Sequence, residues 1–517
     1  MTAHDYIQLA GGRLGEERGN LTTAAVPAEQ LAEACATLSE QGLPLSLLFA
    51  TDDRAADGTF GVHVVFGLDA THAWLMLSAK LPMDAPRYPS VTAKVVAAHW
   101  YERYAMDMFG LVAEGHPDAR RLVHHENVPT DTFPLRKDFA WDTKLAHADV
   151  PYPMRRVEGE GVYEIPVGPI HAGIIEPGHF RFNVAGERIV TLEGKLFFTH
   201  KGVEKLLEGK TPTEALPFIE RLSGDMAAAH ALAYCQAVEA VADCRVPDRA
   251  LALRSVLSEL ERMTMHIHDL ANIAGNGTGY TVMAAQGFRI KECLMRLSAE
   301  LVGNRFWRGA IVPGGQAADF GADKLSKILS VVSETHGEMK SLLEMCLASD
   351  GERERLETTG VLSKDGAAAF GALGVPARAS GLDRDARLTH PHAAYAAHPP
   401  ALVTESSGDV YARFMVRVRE LDESARLIAA IIARLPAGSV RAECPVRDGF
   451  ALGATESWRG EVLCALRLKG GRIDRCLPRD PSFCNWPLFG EIGQGNIVPD
   501  FPLCNKSLNL SYSGTDM

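Results

Sequence analysis

Residues 218–230 read Phe-Ile-Glu-Arg-Leu-Ser-Gly-Asp-Met-Ala-Ala-Ala-His, and the rest of the chain is organised around them. They follow a turn signal, Thr211-Pro212-Thr213, and open a long apolar run of helical character. Positions three and four apart on a helix share a face. The spacing therefore predicts one helix with Ser223, Met226 and His230 aligned on one side and Asp225 at the edge of that side.

Composition bounds what can surround this stretch. A chain of 517 residues is too long for one ordinary core, so two or more domains are expected. Hydrophobic content of 46% and 23% charged residues describe a globular chain. A net charge of −12 argues against nucleic acid as a partner. The ten cysteines include no Cys-x-x-Cys pair, which favours reduced, buried thiols over a disulfide framework. The same scatter disfavours a zinc or iron–sulfur site built by this chain alone. No apolar run approaches the roughly 20 residues that span a bilayer. The first twenty residues lack the apolar core of a secretory signal. A membrane role, if there is one, is reached through partners.

Before the central stretch, an amphipathic helical pattern over 25–42 leads into the strand-like LPLSLLFA, then GVHVVFGL and WLMLSAKL. A helix over 91–111 follows, which suggests a small α/β sandwich-like domain with an antiparallel sheet over 1–140. Residues 141–160 lack periodicity and read as a linker. The second domain, 161–517, opens with strand-like runs around a loop from Gly168 to His179. Helical patterns fill 212–350 and 408–435 and predict a buried bundle. Residues 351–400 read as irregular, and alternating patterns return after 449. Arg262, His266 and Asp269 share a helical face and read as a satisfied core network. The class is α+β.

The central stretch resembles the first metal-binding motif of the large subunit of nickel–iron hydrogenases, Arg-Ile-Cys-Gly-x-Cys-x-x-x-His. Arg221, Leu222, Gly224 and His230 fall on it, while Ser223 and Met226 stand at its cysteines. A second resemblance, to the small peripheral-arm subunit of respiratory complex I, rests on Glu102, Arg103, Asp107, Phe109, Gly110, His116-Pro117-Asp118, Arg120-Arg121 and Pro134–Phe139. There His116 reads as a turn residue, and the basic pairs read as a surface for clamping a neighbouring chain. The 168–179 loop, with His171, Glu176 and His179, is similar to the Gly-Pro-x-His segment shared by hydrogenase large subunits and the quinone-site subunit of complex I. Its Glu-Pro-Gly-His-Phe-Arg form is nearer the membrane-bound energy-converting hydrogenases, and Ile175 stands where complex I has a second histidine. Further matches are His200–Lys205, Glu456-x-x-Arg459-Gly460-Glu461, and Arg479-x-Pro481-Ser482-x-x-Asn485. Asp480-Pro481-Ser482-Phe483-Cys484 imitates the second ligand motif, but the better counterpart is Asn509–Met517. There Ser511 and Gly514 take the cysteine positions, and the chain stops without the cleavable tail of many such hydrogenases.

The resemblance implies a fold with a helical bundle core, a flanking antiparallel β-sheet, and a metal pocket stripped of its four thiolates. Serine hydroxyls and a methionine thioether do not replace bridging thiolates, and glycine offers no donor. No metal is therefore expected at Ser223, Met226, Ser511 and Gly514, and hydrogenase chemistry is disfavoured. The surviving polar rim, His171, Glu176, His179, Asp225, His230, Arg479 and Asp516, is either packing and hydrogen bonding, a quinone-like or other acceptor pocket, or a proton relay. Gly224 stands at the tyrosine of the complex I motif, so quinone chemistry does not simply carry over. The implied partners are a small subunit holding an iron–sulfur cluster and ion-translocating membrane subunits. The implied place is cytoplasmic, peripheral to the inner membrane. The implied role is to couple electron transfer, from NADH or another donor to quinone or another acceptor, to ion movement. A non-catalytic scaffold and an oxidoreductase acting on an unrecognised small acceptor are the other readings.

Overall fold

The computed structural model describes residues 1–171 and 175–517; positions 172–174 of the Gly168–His179 loop lie outside the described residues. The first part is a five-stranded sheet of β1 (Arg13–Arg18), β2 (Leu21–Ala25), β3 (Leu45–Asp53), β4 (Thr59–Leu68) and β5 (Ala73–Pro82). The spatial order is β1-β2-β5-β4-β3. The sheet is mixed rather than antiparallel, because β2 pairs parallel with β5. The β1–β2 hairpin escapes a pattern search, since β1 is polar and exposed along nearly its whole length. Helix α1 (Leu31–Glu40) buries Leu31, Cys35 and Leu38 at helical spacing.

The helix expected over 91–111 is shorter: α2 runs His99–Phe109. Glu102 accounts for the late start. Its buried carboxylate accepts from the backbone of Val91 (2.8 Å) and Thr92 (3.0 Å) and from the Ser90 hydroxyl (2.6 Å), which holds that segment out of the helix. Gly110, at φ 71°, ends it in the left-handed conformation that glycine adopts at least cost. Tyr101 and Tyr104 pack their rings on Phe483, and Tyr104 hydrogen-bonds Glu204, so α2 is wedged into the remainder of the molecule. His116 stabilises its turn, accepting from the Asp118 N–H at 3.0 Å.

The basic pairs do not form a free clamp. Arg120 binds Asp118, the Pro153 carbonyl and Glu193, and Arg121 donates to the carbonyls of His125 and Val128. Arg136 donates to the Phe109 carbonyl, and Lys137 reaches Glu208 and Asp474. These side chains staple this chain's own segments, including part of the stretch between Glu114 and Val162, which contains neither helix nor strand.

Strands β6 (Val162–Val167), β7 (His179–Ala185) and β8 (Arg188–Lys195) form an antiparallel sheet ordered β8-β7-β6. Then comes α3 (Pro212–Ile219), started by a capping box between Thr211 and Glu214. The single helix expected through 218–230 is broken. Residues 220–226 form turns, and α4 (Ala227–Ala242) begins only after Met226, its N-cap at φ −131°. The break frees backbone N–H groups at the start of α4, and the buried Glu261 carboxylate takes those of Ala228 (2.8 Å) and Ala229 (3.1 Å).

The bundle is α5 (Asp248–Asn272), α6 (Thr281–Val302), α7 (Ala322–Leu347) and α8 (Val410–Ala433), with α5 packed on both α6 and α8. Residues expected to be irregular over 351–400 include short helices at Asp350–Leu356, Lys364–Ala369 and Gly374–Ala379. The closing sheet, β9 (Gly449–Glu456), β10 (Glu461–Lys469) and β11 (Arg472–Arg479), is antiparallel as expected. Alanines let α4 sit directly on β9: a side chain at Gly453 would run into the Ala233 carbonyl. One continuous apolar core takes in Trp74 and Phe109 as well as Leu260 and Ile428.

Inside the bundle the network expected to be satisfied is so only in part: Arg262 and His266 meet at Glu420 and Asp269 pairs with Arg417, but Arg262 Nε and His266 Nδ1 are buried without a hydrogen-bond partner among the described residues. Glu420 accepts from His266 Nε2 (2.8 Å) and pairs with Arg378 (2.7 Å) and Arg262 (3.4 Å). Arg378 also reaches Glu456 at 2.8 Å. Burial pushes His266 down to about 4, so it is neutral and donates through Nε2–H. Arg378→Met removes the cation from buried Glu456 and one of the two arginines from buried Glu420, and is expected to cost about 3–5 kcal/mol of stability by urea unfolding. A loss below about 1 kcal/mol, the range of exposed pairs, would contradict that assignment.

Candidate functional site

The break at 220–226 and the helix formed by residues Tyr512–Asp516 (α9) bring the two sequence motifs together. Ser223 Oγ lies 3.0 Å from Ser511 Oγ and 2.9 Å from Asp225 Oδ1. A hydroxyl has one proton to give, and the carboxylate is the stronger acceptor. Ser223 therefore donates to Asp225 and is free to accept from Ser511. Ser511 caps α9 by accepting the Gly514 N–H at 2.9 Å. The carboxylate is closed off by Arg459, which binds it in bidentate fashion at 2.7 and 2.9 Å and stacks on Trp458. Burial raises the Asp225 carboxyl, but the Arg459 guanidinium more than offsets this and holds it below its ordinary value.

His230, on the first turn of α4, donates from Nε2 to Asp480 Oδ2 at 3.0 Å, and both side chains are buried. Asp480 also caps the next short helix by accepting from the Ser482 N–H. Against the cost of its burial, the His230 bond and the nearby Arg459 charge keep Asp480 below its ordinary value. The Asp480 carboxylate fills the space a side chain at Gly514 would need: a Cβ there would run into Oδ2. Met226 is fully buried.

Asp516 accepts from the backbone of Phe197 (2.9 Å) and Thr199 (3.0 Å) and from the Thr199 hydroxyl (2.8 Å). Burial outweighs these bonds and pushes its pKa up to about 6. Arg479 pairs with Glu461 at 2.7 Å beside Asp480. Glu176 reaches α9 by accepting the Ser513 N–H at 3.0 Å. His171 and His179 stand apart: they donate to the carbonyls of Gly178 (2.7 Å) and Gly168 (3.1 Å) and close the base of their own loop.

Of the seven rim residues, Asp225, His230 and Asp516 join the cluster, Arg479 flanks it, Glu176 touches its edge, and the two loop histidines lie outside. The residues that complete it, Arg459, Asp480 and Glu261, were not among the candidates. Arg459 and Asp480 lie within matched motifs, but each has charged neighbours in sequence, Glu456 and Glu461 around the one and Arg479 before the other, so membership of the motif is the signal that marks them. Glu261 lies two residues after Glu259 in a long helix, outside the matched motifs, and carries no such signal.

The donor set does not fit a nickel–iron centre. Two of its members are hydroxyls already bonded to each other and to Asp225, one is a thioether, and one is a glycine whose side-chain space is filled. Among the described residues no group of three His, Cys, Asp or Glu side chains is arranged to hold a metal ion.

A five-stranded α/β unit joined to a bundle whose two ligand-type motifs meet at one buried point defines the class of the hydrogenase and complex I large subunits. The chain matches the families described as the 30 Kd subunit of respiratory-chain NADH dehydrogenase over residues 24–144, nickel-dependent hydrogenase over 201–271, and the 49 Kd subunit of respiratory-chain NADH dehydrogenase over 277–446. It is 34% identical to hydrogenase-4 component G of Escherichia coli K12 over 481 residues, covering 91% of this chain and 83% of that one. It is 33% identical to formate hydrogenlyase subunit 5 of the same organism over 491 residues, covering 92% and 85%. The C/D subunit of the NADH-quinone oxidoreductase of Phocaeicola vulgatus is 28% identical over 475 residues, covering 87% and 90%. The chain belongs to the family of fused subunits that includes hydrogenase-4 component G and formate hydrogenlyase subunit 5. No helix among the described residues is long and apolar enough to cross a membrane.

The raised Asp516 pKa has a testable consequence. The folded protein holds this proton more tightly than the unfolded chain does, so stability present at low pH is lost as pH rises from the ordinary value of 3.8 to about 6. Relative to Asp516→Asn, the wild type is expected to lose about 2 kcal/mol between pH 4 and 6.5, read from urea titrations at each pH. A difference that stays flat across that window would overturn the assignment.

Proposed function

We propose that this chain is a peripheral-arm subunit of a membrane-associated oxidoreductase complex of the complex I and hydrogenase kind, and that it holds no nickel–iron centre. The hydrogen-bonded meeting of Ser223 with Ser511 carries this reading, because it occupies the point where the two ligand motifs converge. A serine hydroxyl stays protonated near neutral pH and is a hard, weak donor, unlike a bridging thiolate. The family resemblance supports a small iron–sulfur subunit as the neighbour and ion-translocating membrane subunits as further partners.

The cluster also offers no room for an acceptor. The cavity bordered by Arg479, Asp480 and Gly514, with Tyr101 and Phe483 among its apolar walls, measures ≈ 10 Å³. That is about the space of one water. In this reading electrons stop at the partner's cluster. The chain then seats that partner and relays its charge and shape changes toward the membrane subunits. A quinone-type site remains a second reading on one observation. Ile170 and Ile175 expose 90% and 44% of their surface on the loop that carries His171 and His179, outside the closed cluster.

The test is elemental analysis of the native complex, purified from cells grown with nickel. Iron from the partner with no nickel is the expected result. One nickel per copy of this chain would overturn the proposal.

A further inference from the structure

The closing sheet covers one face of the five-stranded sheet, with Phe49 stacked on Phe450 at 5.9 Å and Arg467 paired to Asp53 at 2.7 Å. Buried sheet faces are ordinarily apolar. This one carries Thr51, His63 and Ser78 side by side on three neighbouring strands, and beside them lies a cavity of ≈ 230 Å³. The polar groups are internally settled. Burial pushes His63 down to about 4, so the ring is neutral. Thr51 gives its proton to Asp53 at 2.6 Å, which leaves its oxygen to accept from His63 Nε2–H at 3.0 Å. The other ring nitrogen then accepts from the Ser78 hydroxyl at 2.8 Å.

Arg18 at the cavity wall is different. Its Nη1 is buried without a hydrogen-bond partner among the described residues. The guanidinium lies against the backbone of Gly449, where any side chain would displace it. The two other arginines of the wall are already paired, Arg467 with Asp53 and Asp474, and Arg475 with Glu204. A guanidinium is always charged, and with Nη1 sealed against Gly449 an anion in the cavity is met by the other N–H donors of Arg18, Nε and Nη2, which make no hydrogen bond or ion pair among the described residues. We propose that this cavity is a binding site for a small oxyanion, a carboxylate or a phosphate, seated on the Arg18 guanidinium with the Phe49–Phe450 pair as its apolar wall. Glu16, also in the wall, favours a singly charged ligand over a polyanion. The site shares Phe49 and Arg475 with the wall of the small cavity at Arg479, Asp480 and Gly514, but Arg18 and the polar row at Thr51, His63 and Ser78 do not touch that cavity, and the proposal uses nothing of the function proposed above.

The experiment titrates inorganic phosphate and, separately, benzoate into the purified full chain by calorimetry at constant ionic strength. It compares wild type with Arg18→Gln and Arg18→Lys. Saturable binding of one probe is expected, weakened about tenfold or more in Arg18→Gln and less in Arg18→Lys, with circular dichroism and melting temperature unchanged. Benzoate alone would identify an organic acid, and phosphate alone an inorganic ligand. Failure of both probes to bind the wild type, or equal binding by Arg18→Gln, overturns the proposal.

Discussion

The contact between Ser223 and Ser511 joins points 288 residues apart, and the architecture of the site depends on that closure. Neither residue lies within a helix. Ser223 belongs to the turn between α3 and α4, and Ser511 is the cap from which α9 starts. Because α9 is only five residues long, it has little stability of its own. It is held from outside, by Ser511 on Ser223, by Glu176 on the Ser513 N–H, and by Asp516 on the backbone of Phe197 and Thr199. The same closure sets Gly514 against Asp480, where only a residue without a side chain fits.

A chain of charges continues from that point into the bundle. Arg459 holds Asp225 and donates to the Asn509 carbonyl at 2.6 Å; the Asn509 amide donates to Asp269 at 2.6 Å, and Asp269 pairs with Arg417 at 2.8 Å. Buried ion pairs of this kind are weak contributors to net stability, because desolvation offsets much of the Coulomb gain. Their effect is on geometry. Each carboxylate is committed to a particular guanidinium, so a shift of the 220–226 turn would strand charge several residues away. The frame of the two ligand-type motifs is thereby kept.

Much of this was legible in the sequence, and the parts that were not share a physical cause. The bundle and the closing sheet follow from apolar periodicity, which long, regularly buried elements display. The break at 220–226 does not, because Ala227–His230 continues a helical composition and the interruption is stabilised by Glu261, a partner more than thirty residues away. The late start of α2 has the same origin in Glu102, whose reach back to Val91 and Thr92 is a tertiary contact. The basic pairs at 120–121 and 136–137 look solvent-directed in one dimension, and only the folded chain shows that their acceptors are internal. At the site, matching the motifs located the two ends. Arg459 and Asp480 went unassigned because pairing is a property of space.

Saturation also decides where a proton could move. Asp225 and Asp480 are held as carboxylates by Arg459 and His230, and Ser223 and Ser511 spend their hydrogen-bonding capacity on neighbours and on the cap of α9. Two carboxyls of the cluster escape this. Glu261, at the start of α4, is pushed up to about 8 by burial, with the nearby Asp225 charge adding to it, and it faces only backbone donors. Asp516, pushed up to about 6, is likewise held by backbone and a hydroxyl, and no guanidinium neutralises it. Burial with no paired cation is the shared condition that lifts both. A change of field at the cluster acts on these two groups before it acts on the ion pairs. The ion pairs are fixed by direct contact, whereas each of these carboxyls is balanced between a charged and a neutral form by less than the cost of breaking a pair.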